Sequence, residues 1–138
     1  MPSPSHRGFL GRWVLIPESC RYEQGDPPKA GSITILEEGR CIRFVMEWTD
    51  MGGASHRAEL AGEPDGEAKP FDGGALADAL AITLVSDRKI VSSAFFEGEE
   101  LMTAERQLDA TGQAMRVVQR VRLPDGTAPI NAGVYRAE

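Results

Sequence analysis

Apolar and polar residues alternate along most of this chain once it passes residue 30. In CIRFVMEWT, Ile42, Phe44, Met46 and Trp48 share one parity while Arg43 and Glu47 take the other. Ile33 and Ile35 begin the pattern. It continues through Leu80, Ile82 and Leu84, through Ile90, Ser92, Ala94 and Phe96, through Met115, Val117 and Val121, and finally through Ile130, Ala132 and Val134. A period of two with one apolar face is what an antiparallel strand requires when one side packs and the other meets water. These rows are the expected inward set.

Turn signals separate the rows: EEGR at 37–40, DMGG at 50–53, PDG at 64–66, DGG at 72–74, EGEE at 97–100, DATG at 109–112 and PDG at 124–126. Their spacing predicts nine or ten short strands joined by local connections. Helical signal is scarce and its two candidates are GALADALA at 74–81 and PESCRYEQ at 17–24, the latter read as a short turn or lid that Pro17 starts and Gly25 ends. GALADALA at 74–81 is read as a loop feeding a strand. Between Gly62 and Gly74, two short strands or one long loop fit equally well. The expected fold is all-β, an up-and-down antiparallel barrel of about 8–10 strands, closed so that no edge is left to defend. A Greek-key sandwich is compatible with the same inward residues.

The order of the weak motifs carries a family likeness. Gly11-x-Trp13 is followed by a Pro-Glu-Ser turn, an aromatic, Pro-Pro-Lys, an Ile-x-Ile strand, a glycine hairpin and the strand end Trp48-Thr49-Asp50. Later come ADALAITLVSDRKI, Arg106 ahead of the DATG turn, and the terminal NAGVYRAE. From about Gly11 onward the chain resembles bacterial lipocalin-like, calycin-type small barrels. The resemblance implies that Trp13 packs across the closed end of the barrel beneath an arginine of the last strand, for which Arg136 is the candidate. Such a stack would gain a cation–π contact of roughly 1 kcal/mol. The alternative is that Trp13 is plain core and Arg136 a frayed terminal residue.

The chain departs from three better-known relatives of that barrel. Haem-binding barrels of the nitrobindin kind supply a late histidine, whereas His56 is the last one here. Fatty-acid-binding proteins carry a helix–turn–helix lid, and the stretch from Pro17 to Gly31 is too short and too rich in Pro and Gly for two helices. Secreted lipocalins usually carry a signal peptide and disulfides, neither of which is read here. No haem or other cofactor is expected.

Composition narrows the function classes. A chain of 138 residues is one domain, expected over 8–138 behind a disordered leader at 1–7. Its 15 basic and 21 acidic residues give a net charge of −6, which repels a phosphate backbone. Arg116, Arg120 and Arg122 share a parity and read as a solvated outer face, so no nucleic-acid partner is expected. No segment is long and apolar enough to cross a bilayer, so no membrane partner is expected either. Cys20 and Cys41 are too few for a disulfide framework and read as free thiols in a reducing, cytoplasmic setting. Removal of a signal peptide would make the setting periplasmic instead.

No catalytic motif is present: neither a Gly-x-Ser-x-Gly elbow nor a phosphate loop, His-Glu-x-x-His or Cys-x-x-Cys. His6, His56, Cys20 and Cys41 lack metal-ligand spacing, so no metal is expected. What remains is the polar minority on the inward parity: His56, Ser92, Arg106 and Gln119. Polar groups inside a barrel must be satisfied by one another, by water or by a ligand. Glu59 and Glu105 fall on the outward parity, which leaves Arg106 without a carboxylate. The expected function is non-enzymatic: Arg106 grips a carboxylate or phosphate head while Phe44, Met46, Trp48 and Phe96 wrap an apolar tail, with His56 and Gln119 beside them. The competing readings are a filled barrel acting as a scaffold, as a homodimer through an exposed face or edge, and an enzyme using His56 as base and Arg106 as oxyanion partner.

Overall fold

The computed structural model describes residues 4–71 and 77–138. Ten strands follow one another: β1 (Gly11–Tyr22), β2 (Ala30–Glu38), β3 (Cys41–Thr49), β4 (Ser55–Gly62), β5 (Lys69–Pro70), β6 (Ala79–Ser86), β7 (Lys89–Phe96), β8 (Glu99–Leu108), β9 (Ala114–Val121) and β10 (Ile130–Ala137). Every pairing is antiparallel and joins neighbours in sequence, except that β1 also pairs with β10. The result is a meander rolled into a nearly closed barrel, as the alternation predicts, with no Greek-key crossing.

The turn signals fall between strands where they are described. EEGR, EGEE and DATG each close a hairpin, and DGG at 72–74 lies outside the described residues. Among the two-residue connections is Glu97-Gly98, where both residues have positive φ, 49° and 84°. That is the backbone a two-residue hairpin needs to match the twist of its strands.

The seam of the barrel lies where the sheet order ends, between β4 and the two-residue β5, which pairs with β6 alone. Lys69 and Pro70 pair with Leu80 and Ala79. Upstream, Asp65 bridges Thr83, and the Gly66 N–H donates to the Ile82 carbonyl at 2.8 Å. Gly62 allows this approach, since a Cβ there would stand 3.2 Å from Ile82 Cδ1. Of the two readings open for 62–74, the short-strand one holds over the part described.

Two expectations are corrected. PESCRYEQ forms no helix: β1 runs through it, and the ladder with β10 shifts register between Ile16 and Arg21. Pro17 has no N–H for the ladder, and Ser19 Oγ takes up the slack by donating to the Ile16 carbonyl at 2.6 Å and accepting from the Val134 N–H at 2.8 Å. In β10 the inward parity is the opposite of that expected. Gly133 is buried and Tyr135 and Ala137 pack on the core, while Val134 pairs across the ladder with Ile16 and Arg116. Ile130, Ala132 and Val134 form an apolar row on the outer face, half-buried beside Ile16 of β1 and opposite Arg120, Val118 and Arg116 of β9. Before β1, the Ser5 N–H donates to Asp87 Oδ1 at 2.7 Å, and His6 Nε2 meets Glu37 Oε2 at 2.6 Å.

Those contacts deliver a plug. A single 3-10 turn, Arg7–Phe9, carries Phe9 into the barrel end, where it is fully buried. Trp13 Nε1 donates to the Phe9 carbonyl at 2.9 Å, so the Gly-x-Trp residue closes this end by holding the plug. Phe9, Ile35, Ile42, Phe44, Ile82, Ile90 and Met115 are each under 2% exposed, every one contributing about 1.5–3 kcal/mol of burial.

Candidate functional site

Along β3, β8 and β9 burial falls from the plugged end to the other, whereas on β6 it runs the other way, Leu84 being half-buried and Ile82 and Leu80 buried. On β3, Ile42 and Phe44 are fully buried, Met46 is half-buried and Trp48 is 37% exposed. On β9, Met115 is fully buried while Val117, Gln119 and Val121 are half-buried. On β8, Leu108, Arg106 and Ala104 are buried and Met102 is not. On these three strands the interior grades, like a cup, from fully buried side chains at the plugged end to half-buried and exposed ones at the other.

Arg106 stands where the packing ends. It is 3% exposed, with Ile90 and Val117 as its ladder neighbours. Its guanidinium carbon lies 4.3 Å from the centre of the Phe44 ring, a cation–π distance. Nη1 donates to Ser92 Oγ at 3.0 Å. Nε is buried without a partner, and no ion pair among the described residues includes Arg106. Burial lowers its pKa to about 10, so it keeps its proton at neutral pH. A cation stripped of water, with one hydroxyl and one ring for company, is the arrangement that an entering anion would stabilise.

Polar groups from the first and last strands stand nearby. Tyr135 is driven up to about 12 by burial, and the Arg106 charge pulls weakly the other way. Burial also pushes the Tyr22 phenol and the Cys20 thiol up. Cys20 lies beside Gly133, where a Cβ would stand 3.5 Å from its Sγ. None of these three was read as a site residue. The Pro17 register shift turns Cys20 and Tyr22 inward, and the misread parity of β10 hid Tyr135.

The residues expected in the site divide by depth. Phe44 and Arg106 meet at the floor. Met46 and Gln119 are half-buried in the wall, with Gln119 Nε2 3.7 Å from Met102 Sδ. Phe96 is half-buried just after a register shift between Ala94 and Phe95. Trp48 and His56 are at the rim: their rings stack at 5.4 Å and 18°, and His56 Nε2 lies 2.7 Å from Asp50 Oδ2. That hydrogen bond, helped by the Ala54 N–H, holds the Asp50 carboxyl below its ordinary value. His56 and Arg106, weighed together as base and oxyanion partner, are not brought together. The stack is four residues along β3 from the ring that Arg106 covers.

Arg136 is the clear correction. It pairs with Val14 in the ladder while Ala137 pairs with Trp13, so its exposed side chain leaves the barrel on the face opposite the indole. The cation–π contact of this barrel belongs to Arg106 and Phe44 instead. Cys20 and Cys41 are both free, and no three-residue metal-ligating group occurs among the described residues.

Two surface grooves lie outside the cup. One, of about 390 Å³, runs along the rim between Glu23, Gln24, Leu123 and Pro129. The rim there is stapled by Asn131, whose Oδ1 accepts from the Glu23 and Gln24 N–H groups at 3.0 and 3.1 Å and whose Nδ2 donates to the Gln24 carbonyl at 3.0 Å. The other, of about 340 Å³, lies at the plugged end beside Arg7, Arg88 and Asp109.

No known family model matches the chain, and no curated protein matches it in sequence. Solved structures match it in shape. A fatty acid binding protein of Schistosoma mansoni, in complex with arachidonic acid, aligns with a TM-score of 0.60 at 13% identity, over 97% of this chain and 98% of its own. Zebrafish ileal bile acid-binding protein, complexed with cholic acid, aligns at 0.54 and 13% identity, over 95% and 99%. A protein of unknown function from the DUF3598 family of Nostoc punctiforme aligns at 0.59 and 12% identity, over all of this chain and 50% of that one. At these identities the likeness establishes the fold.

Proposed function

We propose, from the premise that the chain is a lipocalin-like calycin barrel, that it binds a small amphipathic molecule in its cup, acid end down, without chemical conversion. The buried guanidinium of Arg106, lacking a carboxylate partner among the described residues, is the observation that carries this reading. The head group would take the place of the missing counter-ion, and Met46, Val117 and Phe96 would cover the tail. The proteins it resembles in shape are described as holding arachidonic acid and cholic acid, both amphipathic acids.

Titration with a fluorescent fatty acid whose emission rises in apolar surroundings tests this directly. Saturable uptake, competed by unlabelled fatty acid and weakened at least tenfold in Arg106→Met, is the expected result. Equal uptake by wild type and Arg106→Met would remove Arg106 from the site. No uptake at all, with a stable dimer in solution, would favour the filled-barrel scaffold.

A further inference from the structure

The rim above Arg106 has its own chemistry, which an ordinary fatty acid leaves unused. Trp48 offers one face to His56 and keeps 37% of its surface exposed. Asp50, hydrogen-bonded to His56, holds a carboxylate at the edge of that stack. Among the described residues, the connections at this end carry Glu23, Asp26, Asp50, Asp78, Glu97 and Asp125 against Lys29 and Arg122. A free indole face beside a carboxylate, in a negative field, suits a cation without hydrogen-bond donors.

The floor is electrically the reverse. The two poles lie on one strand: Phe44, under the Arg106 guanidinium, and Trp48 are four residues apart. At the rise of an extended strand this is about 13 Å, the length of roughly ten methylenes. Resting on the carrier reading above, we infer that the preferred ligand is a two-ended chain, with a carboxylate at Arg106 and a quaternary ammonium or similar cation at Trp48 and Asp50. A plain acid of the same chain length would satisfy the floor alone and leave the indole and carboxylate at the mouth without a cation.

Isothermal titration of the full chain with two probes of equal length tests this: undecanoate and 11-(trimethylammonio)undecanoate. The expected result is that the trimethylammonio compound binds about tenfold more tightly. That ratio should fall to about twofold in Trp48→Leu and to roughly fivefold in Asp50→Asn, the indole supplying more of the contact than the screened carboxylate. Arg106→Met should weaken both probes. Equal affinity of the two probes in wild type would overturn the cation subsite while leaving the carrier reading intact. If neither probe binds, the carrier reading itself fails and the rim inference falls with it.

Discussion

The guanidinium carbon of Arg106 sits 4.3 Å above the ring of Phe44, at the depth where the barrel stops being solid. An arginine at this level is costly to keep. It has surrendered its hydration for one hydroxyl and one aromatic face, and its Nε has no partner. Such a group persists against its own desolvation when something other than stability selects it.

Arg106→Met should therefore stabilise the protein while weakening acid binding. Methionine fills similar space without a charge, and relieving the buried cation is worth about 1–3 kcal/mol. Urea denaturation of the ligand-free protein checks this, and a fall in stability of more than about 1 kcal/mol would contradict it.

Trp13→Phe should destabilise the plug. It removes the bond to the Phe9 carbonyl at a buried site and leaves part of the indole volume empty. The expected cost is about 1–3 kcal/mol. Faster hydrogen exchange should appear at the Phe9 and Leu10 N–H groups, which close the 3-10 turn. Unchanged exchange there would show that the turn holds without the indole.

Both tyrosines should titrate late. Tyr135 is pushed up to about 12, and Tyr22 is raised as well. Absorbance at the phenolate band in native protein should begin to rise above pH 10, with the last step near 12, and should collapse to a single step near 10 in denaturant. A folded pKa above the unfolded one means that the native state holds its proton longer. The stability Tyr135 contributes is thus fully present below pH 10 and is lost as pH rises through about 12. Arg106, lowered to about 10, works in the opposite direction over nearly the same window.

Asn131→Ala should loosen the rim. The amide makes three bonds to Glu23 and Gln24, and losing them should cost roughly 1 kcal/mol. Faster exchange at the Gln24 N–H, with the floor unaffected, is the signature. If the floor loosens equally, the rim is not an independent unit.

Much of this architecture is legible in the chain. Strict alternation in β3, β7 and β8 assigns Phe44, Ser92 and Arg106 to one side, because a period of two leaves a side chain only two directions. The outward parity of Glu59 and Glu105 follows from the same rule, and with it the unpaired state of Arg106. Local hairpins make the meander legible too, since glycine turns at short intervals leave no room for crossovers.

What required the folded molecule is everything set by depth and by contacts between distant segments. Parity says inward but not how far down, so Trp48, His56, Phe44 and Arg106 read as one site although two lie at the rim and two at the floor. The Pro17 register shift and the apolar outer row of β10 itself defeat the two-fold rule there, hiding Tyr135 and sending Arg136 to the wrong face. The N-terminal plug was invisible because a single 3-10 turn has no periodicity of its own. It forms only when Phe9 finds the open barrel end and Trp13 is there to bond its carbonyl.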